Sequence, residues 1–194
     1  MADITRRKCI WGWNFFDWAS QPYNTLLLTF IFGPYFAQTA TNALVEGGME
    51  LGAAKAQAQA YWGYGLALAG VAIAVLAPIL GAVADSSGRR MPWIWLFSAM
   101  YVVGAGALWW TAPADFSLLW ALFFFGIGLI GMEFATIFTD SMLPDLGTKE
   151  EIGRISGNGW AFGYLGGLLT LVLMLVLFAE SATSGKTLIG MDPL

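Results

Sequence analysis

Charged residues divide this 194-residue chain into long apolar stretches. A helix needs about 20 mostly apolar residues to cross the hydrocarbon core of a bilayer. By that measure the sequence predicts five membrane-spanning helices, at residues 10–36, 61–84, 92–111, 116–138 and 158–178. The segments between them are short except for 37–60, an Ala/Gln/Gly-rich connector that could hold a short helix. No soluble domain is evident, so we expect residues 1–194 to form a single all-α membrane domain.

Composition supports a membrane protein and excludes several other classes. Charged residues make up 11% of the chain, against roughly 25% in a typical soluble domain, and the mean hydropathy is +0.66. The net charge is −4, and the sequence contains no basic stripe of the kind that a nucleic-acid partner requires. The chain has no histidine, and its one cysteine is Cys9. We therefore expect no metal, no cofactor and no enzymatic activity, and we expect the lipid bilayer to be the main surrounding partner.

The distribution of Lys and Arg predicts the orientation, because these residues accumulate in cytoplasmic loops. With the N-terminus inside, seven of the nine fall on the inner side and two, Lys55 and Lys186, on the outer side. The seven are Arg6, Arg7, Lys8, Arg89, Arg90, Lys149 and Arg154. The sequence thus predicts a cytoplasmic N-terminus.

The first predicted span carries a polar stripe. At about 100° per residue, its polar side chains fall within an arc of roughly 100° on one helix face. Lipid cannot satisfy such a face, so it must point at protein or water. Pro22 removes one helical hydrogen bond, so we expect a bend there. The stripe either lines a solute or proton pathway or packs as a polar seam against a neighbour; it consists of Asn14, Asp17, Gln21, Asn24 and Thr25.

Glu133 is a second acid inside a predicted span. An ionised carboxylate at that depth is costly, so it must be protonated, paired or facing water. Glu133, Thr136 and Asp140 follow an i, i+3, i+7 pattern and share a helix face. Two interpretations stay open for Glu133, a proton carrier or a structural hydrogen bond to the first span or to a helix of the second half.

A charged, glycine-containing turn joins the second and third spans. It runs Gly81-Ala-Val-Ala-Asp85-Ser-Ser-Gly88-Arg89-Arg90 and resembles the G-x-L-A-D-x-x-G-R-R/K loop of the major facilitator superfamily. The resemblance implies that Gly81, Asp85, Gly88, Arg89 and Arg90 form a cytoplasmic gate that couples the two transporter halves. We also expect Gly81 to allow close approach of a neighbouring helix. The alternative is an ordinary basic turn on the inner side.

The fifth predicted span has a glycine on every fourth position at Gly159, Gly163 and Gly167. A bare face of this kind lets another membrane helix pack closely. Together with Phe16-Asp17-Trp18-Ala19-Ser20 and Met142-Leu-Pro144-Asp145-Leu146, this segment resembles the vacuole-effluxer branch of the same superfamily, whose members include an amino-acid effluxer.

The resemblance implies a fold and a function. Major facilitators contain two six-helix halves with the solute site between them, so this chain corresponds to five helices of an N-terminal half, without the second half. We expect a secondary active transporter of the bacterial inner (plasma) membrane for small solutes, with amino acids and proton coupling as candidates. The rival hypothesis is a non-transporting membrane subunit, derived from a transporter, that packs in a larger complex. In either case we expect the missing half or other membrane subunits as partners.

Overall fold

The computed structural model describes residues 2–113, 116–179 and 186–189, and within these ranges the regular structure is entirely helical. The helices are α1 (Ala2–Pro22), a π-helix (Tyr23–Phe30), α2 (Phe32–Glu46), α3 (Leu51–Ser87), α4 (Met91–Ala107), α5 (Leu118–Asp140) and α6 (Lys149–Phe178). Short 3₁₀ turns follow α4 at Leu108–Trp110 and α5 at Leu143–Asp145. The prediction of an all-α protein is confirmed for the described residues.

Four helices in the described part of the chain are long and apolar enough to cross a membrane. They cover Leu51–Ala84, Met91–Trp110, Leu118–Asp145 and Lys149–Phe178, which contain or closely match the second to fifth predicted spans. The first predicted span, at 10–36, is not among them, because it is divided between α1, the π-helix and α2. The fifth crossing and the cytoplasmic N-terminus therefore stay predictions.

We call residues 2–46, which hold α1, the π-helix and α2, the first segment. Its helical geometry changes directly after Pro22, where α1 ends. In the π-helix that follows, the Ile31 amide donates to the carbonyl of Leu26, five residues back, at 2.8 Å. Pro22 has no amide hydrogen, so regular α-helical bonding is already weakened at this point. The sequence located the irregularity correctly, although we expected a bend and not a π-helix.

The segment 37–60 is almost entirely helical, which is more than the short helix that the sequence suggested. Helix α2 continues to Glu46 and α3 begins at Leu51, which leaves a turn of four residues, 47–50. The Ala and Gln residues of this region favour helix. Glu50 supports the start of α3, since its carboxylate accepts hydrogen bonds from the amides of Gly52 and Ala53. These bonds hold the pKa of the Glu50 carboxyl below its ordinary value.

Helix α6 begins nine residues before the predicted span, at a capping box. The Thr148 side chain accepts from the backbone of Glu151, while the Glu151 carboxylate accepts from the Thr148 amide at 3.1 Å. This arrangement satisfies two amides that would otherwise lack a partner at the start of the helix.

Contacts between the turns define the two ends of the bundle. At one end, Arg6 near the start of α1 binds the turn between α5 and α6, and Arg90 from the turn between α3 and α4 binds that same turn. At the other end, Tyr35 of α2 donates to the Thr111 carbonyl beyond α4, and Phe36 contacts Phe116. We call the first the basic end, because its segments carry the seven cations that the sequence assigned to one side.

Helix α5 forms the centre of the bundle. The most apolar 18-residue stretch of α5 is 44% buried, whereas the corresponding stretch of α3 is 6% buried. It packs on α4 through Gly104 and Gly128, where a Cβ on Gly104 would lie 2.7 Å from the Gly128 Cα. Small residues permit such close backbone contact between membrane helices. Helix α1 packs mainly on α6, and this second contact contains the polar residues singled out in the sequence.

Candidate functional site

The glycine face of α6 receives side chains from α1 and the π-helix. A Cβ on Gly159 would overlap the ring of Trp13, and a Cβ on Gly163 would overlap the Asp17 carboxylate. One turn further along, a Cβ on Gly167 would lie 2.5 Å from the Thr25 hydroxyl oxygen and 3.1 Å from the Gln21 Cγ. The glycines predicted for helix packing thus lie directly opposite the predicted polar stripe. We call this contact the polar seam.

Asp17 is half-buried and lies between two helices. Its carboxylate contacts α6 at Gly163. No ion pair involving Asp17 occurs within residues 2–113, 116–179 and 186–189. An acid inside a membrane segment is costly unless it is protonated, paired or facing water.

Asn24 connects the stripe to α5 through a methionine. The Asn24 side-chain amide donates to the Met132 sulfur at 3.7 Å, and the Thr136 hydroxyl approaches the same sulfur at 3.7 Å. Met132 is buried and Thr136 is half-buried. The first segment and the acidic face of α5 therefore meet, as a shared pathway would require.

Glu133 lies next to Met132 and is half-buried. In the described part of the chain it takes part in no ion pair and no side-chain hydrogen bond. A structural hydrogen bond to the first segment, one of the two interpretations considered above, is not found there. Asp140, two turns along α5, is exposed at the basic end.

Asn14 lies one turn before Asp17 and is 7% exposed. Its side-chain oxygen Oδ1 is fully buried and accepts no hydrogen bond. A buried acceptor without a donor is costly, so this position suits a donor supplied by a ligand or a water molecule. Gln21, the remaining member of the stripe, is half-buried against Gly167.

The turn between α3 and α4 is held by Arg90. Its Nη1 donates to the Ser141 carbonyl at 2.9 Å and lies 3.2 Å from Asp145 Oδ2. Gly88 has φ +63°, a conformation that favours glycine, and it lets the chain reverse before α4. Arg89 is exposed. The Asp85 side chain lies outside the described part of the structure.

Gly81 shows no close neighbour. A Cβ on this residue would meet nothing within 4 Å, so the close helix approach that we expected there is absent from the described structure. Of the glycines in the predicted gate, it is Gly88 that has a conformational reason to be glycine.

Sequence reasoning missed several residues that build the site. Trp13 is 6% exposed and donates from Nε1 to the Thr139 carbonyl at 3.1 Å, which fixes α1 on α5. Tyr23 is 5% exposed and donates to the Phe125 carbonyl at 2.9 Å. Arg6 binds both the Leu146 carbonyl and Glu151. The aromatic donors carried a usable signal, since a Trp or Tyr inside an apolar span needs a hydrogen-bond acceptor.

The four membrane-length helices in the described part of the chain are those of a multi-pass membrane protein. Residues 5–191 match the profile of the family described as "Vacuole effluxer Atg22 like", and the chain belongs to this family. It is 28% identical over 174 residues to an "Uncharacterized MFS-type transporter YxiO" of Bacillus subtilis (strain 168). That match covers 89% of this chain and 38% of the relative's length. No solved structure matches the chain.

Proposed function

We propose that this chain supplies much of the N-terminal half of a secondary active transporter that works by alternating access. Membership of the effluxer family supports solute transport. The chain spans 38% of the curated relative's length, close to the share that five helices of a twelve-helix transporter would make up. In this proposal residues 10–36 form a fifth crossing, and the basic end faces the cytoplasm of a bacterial cell.

The polar seam is the proposed pathway for solute or protons. The observation that carries this assignment is that two acids within the helical bundle, Asp17 and Glu133, have no cationic partner in the described structure. Acids inside membrane segments are costly and usually mark ion or substrate routes. Asn14, Gln21 and Asn24 extend the polar surface along α1 and the π-helix.

The turn from Gly81 to Arg90 is the proposed cytoplasmic gate. Arg90 already joins this turn to the turn between α5 and α6, so movement at one turn affects the other. Gly163 and Gly167 would let α1 and α6 adjust against each other, because they face side chains that can change rotamer. Amino acids are the solute class that the effluxer resemblance suggests.

Transport by the full-length protein in proteoliposomes tests the pathway. With an imposed pH gradient, we expect Asp17→Asn and Glu133→Gln to abolish the pH-dependent part of amino-acid flux, because neither amide can carry a proton. Glu150→Gln is the matched control, since Glu150 is an exposed acid at the start of α6. If Asp17→Asn and Glu133→Gln both leave the flux unchanged, the pathway assignment is wrong.

The same preparation separates the transporter from the non-transporting subunit. A transporter moves solute when it is reconstituted alone. If the full-length protein moves no amino acid in either direction and copurifies with stoichiometric membrane partners, the subunit hypothesis replaces the proposal.

A further inference from the structure

The π-helix at Tyr23–Phe30 brings two buried aromatic residues, Tyr23 and Phe32, onto one face. The two are nine residues apart, and in an α-helix, which advances by about 100° per residue, they would lie on nearly opposite faces. A π-helix advances by roughly 80° per residue, because its hydrogen bonds close over five residues, and this places residues nine apart on nearly the same face. The π-helix therefore decides whether both rings can reach one partner.

Both rings stack on Phe125 of α5. The ring centroids lie 6.1 Å from Phe125 for Tyr23 and 5.8 Å for Phe32, with interplanar angles of 28° and 13°. Tyr23 also donates its hydroxyl to the Phe125 carbonyl at 2.9 Å and lies against Gly128, where a Cβ would overlap its ring. We call Tyr23, Phe32 and Phe125 the aromatic clamp. An α-helix over the same residues could not form both stacks at once.

Two further residues fit the wider turn of the π-helix. The Thr29 hydroxyl donates to the Asn24 carbonyl, five residues back, at 2.9 Å, whereas in α2, α5 and α6 a threonine hydroxyl donates to a carbonyl four residues back. A Cβ on Gly33 would lie 2.8 Å from the Leu28 carbonyl oxygen, again five residues back. A side chain in place of Gly33 would therefore oppose the π-helix.

The aromatic clamp is enclosed by the described helices. Phe125 is 2% exposed. Tyr101 of α4 contacts Tyr23 edge to face with ring centroids 6.3 Å apart, and Trp62 of α3 contacts Phe125 with ring centroids 4.5 Å apart. The clamp therefore belongs to the packing of these residues among themselves, and further helices of a longer protein would leave it as it is.

The α2 side of the π-helix is held more firmly than the α1 side. Phe36 of α2 is fully buried and contacts Trp62 and Phe116. Toward α1, the first turn of the π-helix meets α6 where Thr25 lies against Gly167, and this glycine has no side chain to resist movement. If residues 23–30 became α-helical, α2 would therefore stay in place and the end of α1 would move.

We infer that Tyr23, Phe32 and Phe125 are positioning residues for the polar seam, because the aromatic clamp selects the π-helix and the π-helix directs the polar stripe toward α6. The link to transport rests on the proposed function. Without the clamp, residues 23–30 adopt the commoner α-helical bonding, and the stripe no longer meets the glycines of α6.

Disulfide formation across the polar seam tests the clamp. A Cβ on Gly167 would lie 3.4 Å from the Thr25 Cβ, close to the separation of about 3.5–4.5 Å found in disulfides. Thr25→Cys and Gly167→Cys are combined in the full-length protein with every other cysteine replaced by serine, and mass spectrometry follows the bridge. We expect this parent to bridge readily. Gly33→Ala and Tyr23→Leu should each slow bridging about fivefold, the effect of losing one aromatic pair.

Gly12→Ala and Tyr64→Leu are the matched controls, since a Cβ on Gly12 meets nothing within 4 Å and Tyr64 is 70% exposed. Both should bridge at the parent's rate. The clamp is overturned if the parent does not bridge, if Gly33→Ala and Tyr23→Leu bridge as fast as the parent, or if the controls are slowed equally. Thermal unfolding shows whether each variant is folded, and if one of the two fails to fold, the other decides.

Amino-acid flux in proteoliposomes, measured without the added cysteine pair, tests the positioning role separately. We expect Gly33→Ala and Tyr23→Leu to lose most of the pH-dependent part of the flux, while Gly12→Ala and Tyr64→Leu keep it. Slow bridging together with normal pH-dependent flux would overturn the positioning role and leave the clamp. If the protein without substitutions moves no amino acid, the proposed function fails, and the bridging rates still decide whether the clamp exists.

Discussion

The two glycine-rich contacts of this bundle differ in what the glycines meet. Between α4 and α5, glycine meets backbone: a Cβ on Gly104 would lie 2.7 Å from the Gly128 Cα and 2.8 Å from the Phe124 carbonyl oxygen. Across the polar seam, Gly163 meets the Asp17 side chain and Gly167 meets those of Gln21 and Thr25, while a Cβ on the neighbouring Gly166 would lie 2.5 Å from the Trp18 backbone carbonyl oxygen. Backbone cannot move aside without separating the helices, whereas a side chain can change rotamer. The first contact is therefore rigid, and the second is adjustable only where it meets flexible side chains, as at Gly163.

The largest effect should follow an added methyl group in the rigid contact. Gly104→Ala forces α4 away from α5, and we expect a loss of about 2 kcal/mol or more in the free energy of unfolding. Gly106→Ala is the control on the same helix, because a Cβ there meets nothing within 4 Å. The control should stabilise the protein by up to about 1 kcal/mol through helix propensity. Thermal unfolding in detergent measures both, and equal stability of the two variants would contradict a rigid contact.

A smaller loss is expected at Tyr23, which contacts the Gly128 of the rigid contact from the π-helix. Tyr23→Phe keeps the ring but leaves the Phe125 carbonyl without this donor. We expect a loss of about 1 kcal/mol. Tyr64→Phe provides the comparison, since Tyr64 is 70% exposed. If both variants unfold at the same temperature, the Tyr23 hydroxyl does not hold the first segment on α5.

The smallest change in stability should occur in the polar seam. In Gly163→Ala, the gain of about 1 kcal/mol from helix propensity offsets a rotamer cost of about 1 kcal/mol at Asp17. Unfolding should therefore be nearly unchanged, while solute flux falls because Asp17 has moved. Gly157→Ala is the control, as its Cβ meets nothing within 4 Å. Normal flux in Gly163→Ala with normal stability would show that the position of Asp17 does not matter for transport.

Much of this architecture follows from local sequence. The four long apolar helices were predictable because each apolar stretch reaches about the length that a bilayer requires. The same hydropathy criterion misplaced the starts of α3 and α6, since helix propensity near residue 51 and the Thr148 capping box extend both helices beyond the apolar stretch. A criterion based on the length of apolar stretches does not detect the polar turns that extend a helix.

The site was predictable in its residue types but not in its contacts. The helical period placed Asp17 and Asn24 on one face, and the spacing of Gly159 and Gly163 predicted a close partner. That these two faces meet each other depends on how distant segments pack, as does the Met132 sulfur between Asn24 and Thr136. The absent neighbour at Gly81 has the same cause, because a motif position does not determine which helix lies beside it.

The π-helix at Tyr23–Phe30 has a consequence for rotation. Its residues turn through a smaller angle each than α-helical residues do, because its hydrogen bonds close over five residues instead of four. Conversion of these eight residues to α-helix would rotate α1 about its axis relative to α2. Such a rotation would carry Asp17 away from Gly163 while Phe36 stays fixed among its aromatic neighbours. The π-helix therefore sets which face α1 turns to α6 relative to the face that α2 turns to the aromatic cluster around Phe36.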